Sequence, residues 1–125
     1  MFLVPRYNLG IRNSVSQTIN ALESQTFTDI EVSAQMRSGI VCVNICRLLN
    51  DSARALTKRN TFTDIGKIKQ EYWPSHNYVQ QIGMQSGSWL VFSVTQTGRV
   101  VLFHQYGEDK LYWSYFEGSL SYPIA

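Results

Sequence analysis

Phe27-Thr-Asp-Ile-Glu-Val-Ser-Ala-Gln-Met-Arg-Ser-Gly-Ile-Val-Cys-Val-Asn-Ile-Cys-Arg47 is the stretch on which the fold turns. Thr28 and Glu31 have capping-box spacing, and Phe27 stands where it can staple onto Val32. Both signals start a helix at the same residue. Val32 and Met36 then fall on one stripe, with Ile30 and Ala34 beside it. Gly39 follows Arg37-Ser38 as a C′ glycine should. A further helix is expected over 40–55. It carries Val41, Ile45, Leu48, Leu49 and Ser52 on one side, and Asn44, Arg47, Asp51 and Arg54 on the other. Its first residues, Ile40 to Val43, are β-branched and readable as strand, but the periodicity beyond Asn44 favours helix.

Working outward, Ser14 and Gln17 repeat the capping-box spacing. Val15, Ile19 and Leu22 mark one apolar stripe of a first helix, which ends near Ser24. After the third helix, two short runs flank Thr63-Asp-Ile-Gly66, which is hairpin grammar. Pro74 ends the second run near Trp73. The string Thr-Phe-Thr-Asp-Ile occurs at 26–30 and again at 61–65, but the flanks differ and no structural repeat is implied.

The last fifty residues change character. Ten of the sixteen aromatic residues lie between Tyr78 and Tyr122, which suits covered sheet rather than linker. Strand-like runs occur at 89–95, 99–106 and 111–116, separated by short turn-rich loops, and a fourth run at 78–84 precedes them. An antiparallel meander is the simplest topology.

The chain has 125 residues, enough for one real core. Net charge is only +2, but it is unevenly spread. Between Arg37 and Lys69, seven basic residues face two acids, a net +5, while the flanking segments are net negative. Such clustering is the footprint expected of a phosphate-binding surface or, equally on charge alone, of a solvated basic face. The apolar start is too short for a signal peptide, and no run is long enough to span a bilayer. Two thiols four residues apart, Cys42 and Cys46, suit a reducing compartment. A cytoplasmic location is the expectation, with no membrane partner.

Helix, short turn, helix and hairpin, in that order, resemble a winged helix-turn-helix DNA-binding domain over about residues 13–73. The resemblance lies in residues 27–34 as positioning helix, in Ile45 and Leu48-Leu49 as the inward stripe of a recognition helix, and in Leu56-Thr-Lys-Arg59 leading into a wing. A glycine that the family often has before the wing is missing here. The expected class is therefore α+β: a three-helix winged helix-turn-helix over 1–74, then an antiparallel β-meander over 75–125 that packs on it or mediates dimerisation. The resemblance implies a small DNA-binding transcriptional regulator of phage or plasmid type, reading double-stranded DNA with the helix near 40–55. Arg37, Ser38, Asn44 and Arg47 would contact bases, and Arg54, Lys58, Arg59, Lys67 and Lys69 phosphates. Tyr106, Tyr112, Trp113 and Tyr115 would supply a partner or homodimer surface. The alternative is a small inhibitor or immunity-type protein that blocks another macromolecule.

Other chemistry finds little support. Cys42, Cys46, His76 and His104 fit no standard zinc spacing, so no metal is expected. No phosphate loop, dinucleotide fingerprint or nucleophile elbow occurs. The expectation is a non-enzyme without a cofactor.

Overall fold

A computed structural model describes residues 17–26, 30–47, 62–83, 89–106 and 116–124. These form nine strands and, among the described residues, no α-helix. In chain order they are β1 (Ile19–Asn20), β2 (Leu22–Gln25), β3 (Glu31–Arg37), β4 (Ile40–Arg47), β5 (Phe62–Ile68), β6 (Tyr78–Gly83), β7 (Trp89–Val94), β8 (Arg99–Tyr106) and β9 (Phe116–Pro123). One 3-10 turn, Gln70–Tyr72, follows β5. A four-stranded sheet has the order β1-β3-β4-β9, and a five-stranded sheet the order β2-β5-β8-β7-β6. All pairings are antiparallel. Both sheets combine strands from before and after Pro74.

The expected three-helix N-terminal unit is overturned by these strands. The error is one of period. Val32 and Met36, like Val41 and Ile45, stand four apart, a spacing that fits a helix and a strand equally well. The residues midway decide. Ala34 and Val43 are buried on the same face as their neighbours two positions away, whereas in a helix they would point nearly opposite. The β-branched residues of β4 add strand preference. Ser38 and Gly39 have φ of 54° and 81°, and Arg37 pairs with Ile40 across them. Positive φ at both central residues is what a two-residue type I′ hairpin turn requires. A helix C′ residue and this turn therefore ask for the same glycine. The capping box fails likewise: Glu31 and Val32 lie in β3, and residues 27–29 fall outside the described residues, as do 14–16 and 48–55 of the other two expected helices. Ile19 and Leu22, assigned to the first helix, lie in β1 and β2.

The expected wing hairpin is a single strand. β5 runs straight through Gly66, where β5 slips register against β8. A Cβ there would stand 3.2 Å from Ser24 O and 3.4 Å from Val32 Cγ1. Gly66 thus permits a close approach of the two sheets rather than a turn. The third meander strand is also corrected. Residues 111–115 lie outside the described residues, and Phe116 opens β9, which crosses to the four-stranded sheet and pairs with β4 along its whole length.

The inward faces of both sheets share one core. The four-stranded sheet contributes Val32, Ala34, Val41, Val43 and Ile45, and the five-stranded sheet Ile65, Ile68, Leu90, Phe92, Val94, Val100 and Leu102. Ala21 joins the sheets covalently. Its N–H donates to Ala34 O at 2.8 Å in one sheet, and its carbonyl accepts from Lys69 N at 2.9 Å beside the other. At the Ser38–Gly39 end, Tyr122 Oη donates to Tyr72 O at 2.7 Å, and its ring stacks on Tyr78. The Trp73 indole donates to Ile68 O at 2.8 Å and lies against Gly98, whose φ is 78°.

Two substitutions grade this closure. Tyr122→Phe keeps the buried ring and removes one hydrogen bond, so urea unfolding should show a loss of about 1 kcal/mol. Gly98→Ala adds backbone strain and drives a methyl into the Trp73 ring. It should cost more, about 2 kcal/mol or above. Equal losses would mean that Gly98 does not seat the indole.

Candidate functional site

The two sheets present different outer faces. On the five-stranded sheet, Phe62 packs on Phe103 in a tilted pair with centroids 4.6 Å apart, and register places Val91 beside Phe103. An Asp64–Arg99 ion pair at 2.7 Å and a Lys67–Glu23 pair at 3.8 Å, all partly exposed, lie on the same face. Pairs of this kind contribute little to stability.

The four-stranded sheet is polar outside. Since strand side chains alternate, the register aligns four rows across β3, β4 and β9: Arg37–Ile40–Pro123 at the turn end, with Ile40 exposed, and three polar rows beyond it. The polar rows are Glu31–Cys46–Glu117, Ser33–Asn44–Ser119 and Gln35–Cys42–Ser121. Cys42 Sγ lies 3.7 Å from Asn44 Nδ2, which donates to it, and 3.8 Å from Ser119 Oγ. A depression of about 640 Å³ opens where β9 and β4 meet β6, lined by Asn44, Cys46, Glu117 and Ser119 on one side and residues 80–83 on the other. A second, of about 400 Å³, lies across β4 between Glu31, Ser33 and Gln25, and again reaches Asn44 and Cys46.

Two glutamines from the other sheet frame this surface. Gln80 Oε1 accepts the Ser119 N–H at 3.0 Å. Gln25 Oε1 accepts the Val32 N–H at 3.4 Å, while its Nε2 donates to Ile30 O at 2.6 Å. Each satisfies backbone on an open side of the four-stranded sheet, and each therefore holds the wall of one depression in place.

Among the described residues, the expected DNA-contacting residues do not converge. Arg37 and Ser38 are exposed at the β3–β4 turn, and Asn44 is exposed on the outer polar face. Arg47 points the opposite way and is only 1% exposed. Lys67 lies on the outer face of the other sheet, and Lys69 donates to Asn20 O at 3.0 Å. Arg54, Lys58 and Arg59 lie outside the described residues, as do Tyr112, Trp113 and Tyr115 of the expected partner surface; Tyr106 ends β8. No recognition helix exists over 40–47, and among the described residues Arg37, Arg47, Lys67 and Lys69 do not form one basic surface.

Ser33, Cys46, Gln80, Glu117 and Ser119 were missed. For all but Gln80 the signal was present: small or polar residues at every second position of 31–35, 42–46 and 117–121. It reads as a surface only once those segments are strands.

Comparison with known proteins bears on the fold. No family model and no curated protein matches the chain. Among solved structures, the chain is similar to the head domain of phage bIL170, described with the receptor-binding domains of lactococcal phages. The TM-score is 0.60 at 11% sequence identity, over 87% of this chain and 100% of that one. At that identity the likeness is one of fold. With the all-strand architecture it overturns the winged-helix assignment, and with it the DNA-binding transcriptional regulator and the double-stranded DNA partner.

The polar face carries a chemical signature. Burial raises the Cys46 thiol above its ordinary range, and the carboxylates of Glu117 and Glu31 raise it further. Alkylation by iodoacetamide, followed at Cys46 by peptide mapping, should be slow at neutral pH and reach half its maximal rate above the pH of a free thiol. Glu117→Gln should lower that midpoint. A midpoint at or below the free-thiol value would contradict this electrostatic picture.

Proposed function

We propose that this chain is a receptor-binding domain of the bacteriophage type, and that its ligand surface is the outer face of the four-stranded sheet. The observation that carries the reading is the 640 Å³ depression at the β4–β9–β6 junction. It is open, partly apolar in its walls and edged by amide, hydroxyl and carboxylate groups held on strands. Likeness to the phage head domain over the whole of that chain supports the same reading.

The chemistry of the walls narrows the ligand. Asn44, Gln80 and Ser119 offer uncharged donors and acceptors, and Glu117 is the one ionic group in the lining. Such a set suits a neutral, hydroxyl-bearing ligand such as a surface glycan, which exchanges hydrogen bonds with water for hydrogen bonds with protein. A phosphate would meet Glu117 with no compensating cation in the lining, so anionic ligands are disfavoured. The reading is of a binding module that makes and breaks no covalent bond.

The test is a binding titration against neutral polysaccharides, with an anionic polysaccharide and a mixed-sequence DNA duplex as competitors. Neutral glycan binding should change little with salt, because no counterions are released. Asn44→Ala should weaken it about tenfold, the equivalent of about 1.4 kcal/mol. Strong, salt-sensitive binding confined to the anionic polymers would overturn the proposal.

A further inference from the structure

The two depressions resemble each other in composition as well as position. Each is edged by one glutamate and one serine in consecutive rows: Glu117 and Ser119 on the β9 side, Glu31 and Ser33 on the β3 side. Each has one glutamine from an outermost strand of the other sheet hydrogen-bonded into its wall, Gln80 from β6 and Gln25 from β2. Asn44 and Cys46 stand between them and line both. The polar face is thus laid out nearly symmetrically about β4.

From this we infer that the two depressions are paired subsites for one chain-like ligand that crosses β4. The inference rests on the glycan-binding reading above and adds to it a requirement for repeat and length. Ser33 and Ser119 are two interstrand spacings apart, so equivalent groups of the ligand should recur at about 10 Å. A ligand with one unit uses either depression alone. A longer one engages both, and the second contact is intramolecular, so affinity rises by more than the added contact area alone would give. Because Asn44 borders both depressions, it bridges consecutive units.

The experiment uses the full chain, isotope-labelled for amide NMR, with a panel of neutral hexoses and their linear oligomers of increasing length. With single hexoses, amides around Ser33 and around Ser119 should both shift, with similar weak affinities. With the oligomers, affinity should rise at least tenfold once the chain is long enough to cover both depressions, then level off. Ser33→Trp and Ser119→Trp, both at exposed sheet positions, each fill one depression. Each should return the long oligomer to the affinity of a single unit while leaving the other depression able to bind. Shifts confined to the Ser119 side with no dependence on length would overturn the paired-subsite inference and leave the glycan reading standing. Absence of shifts on this face with every sugar of the panel would overturn both.

Discussion

Ala21 sets the geometry that the rest of the molecule obeys. A residue wholly buried, with its N–H bonded to β3 and its carbonyl bonded to Lys69 after β5, belongs to both sheets at once. One short segment, β1 to β2, therefore changes sheets without a loop, and the two sheets cannot slide past each other there. Strands that switch sheets at a bend are a common way of making the corner of a sandwich. Alanine suits the position because its small side chain fits where the inward faces converge. Given that corner, the period-2 burial of β3, β4 and β7 follows, since each strand has one face on the shared core.

The far side needs a different solution. There β6 and β9 are the last strands of their sheets, and neither pairs with the other. Outermost strands expose backbone groups that recruit other chains or water. Gln80 covers one such group on β9, and Gly118 allows close approach, since a side chain there would collide with Ile82. The junction is therefore joined by side chains rather than by a continuous ladder. That incomplete closure is also what opens the larger depression. Stability and the proposed binding surface arise from one compromise: a fully paired barrel would have left no groove between β6 and β9.

How much of this could be read in the sequence depends on which residues carried the decision. The runs at 89–94 and 99–106 are legible as strands because a turn of Thr95, Gly98 and their neighbours separates two short, nearly continuous apolar stretches. The β3–β4 hairpin is not legible by the same rule. Its apolar pairs four apart satisfy both periods, its glycine serves a helix end and a type I′ turn alike, and Thr28 with Glu31 imitates a capping box. Helix signals there are local, while the partner that selects strand, β9, lies some seventy residues away. The polar face was illegible for the same reason. Glu31, Asn44 and Ser119 share a surface only through pairing between distant segments. The charge cluster misled because linear neighbours such as Arg37, Arg47 and Lys67 are sent by the strands to three different places.

The composition of that face argues for function over stability. Outer positions of a sheet are where β-branched and aromatic residues add most, through cross-strand pairs. On the outer face of the five-stranded sheet Phe62, Val79, Val91 and Phe103 do this. On the four-stranded sheet the nine positions of the three polar rows hold serine, asparagine, glutamine, glutamate and cysteine, with no β-branched or aromatic residue among them. Serine and asparagine are weak strand formers, and Glu31 and Glu117 lie in the same row with Cys46 between them, raising its thiol. Natural sequences depart from local preference mainly where a site demands it. Here the departure spans β3, β4 and β9, and two of its three rows line the two depressions. A surface needed only to keep the sheet in water would not have to avoid threonine, which is both polar and a good strand former. Small side chains bearing hydroxyl, amide and thiol groups leave room above the sheet while keeping hydrogen-bonding atoms at its floor, and that combination is what a bound, water-like ligand requires.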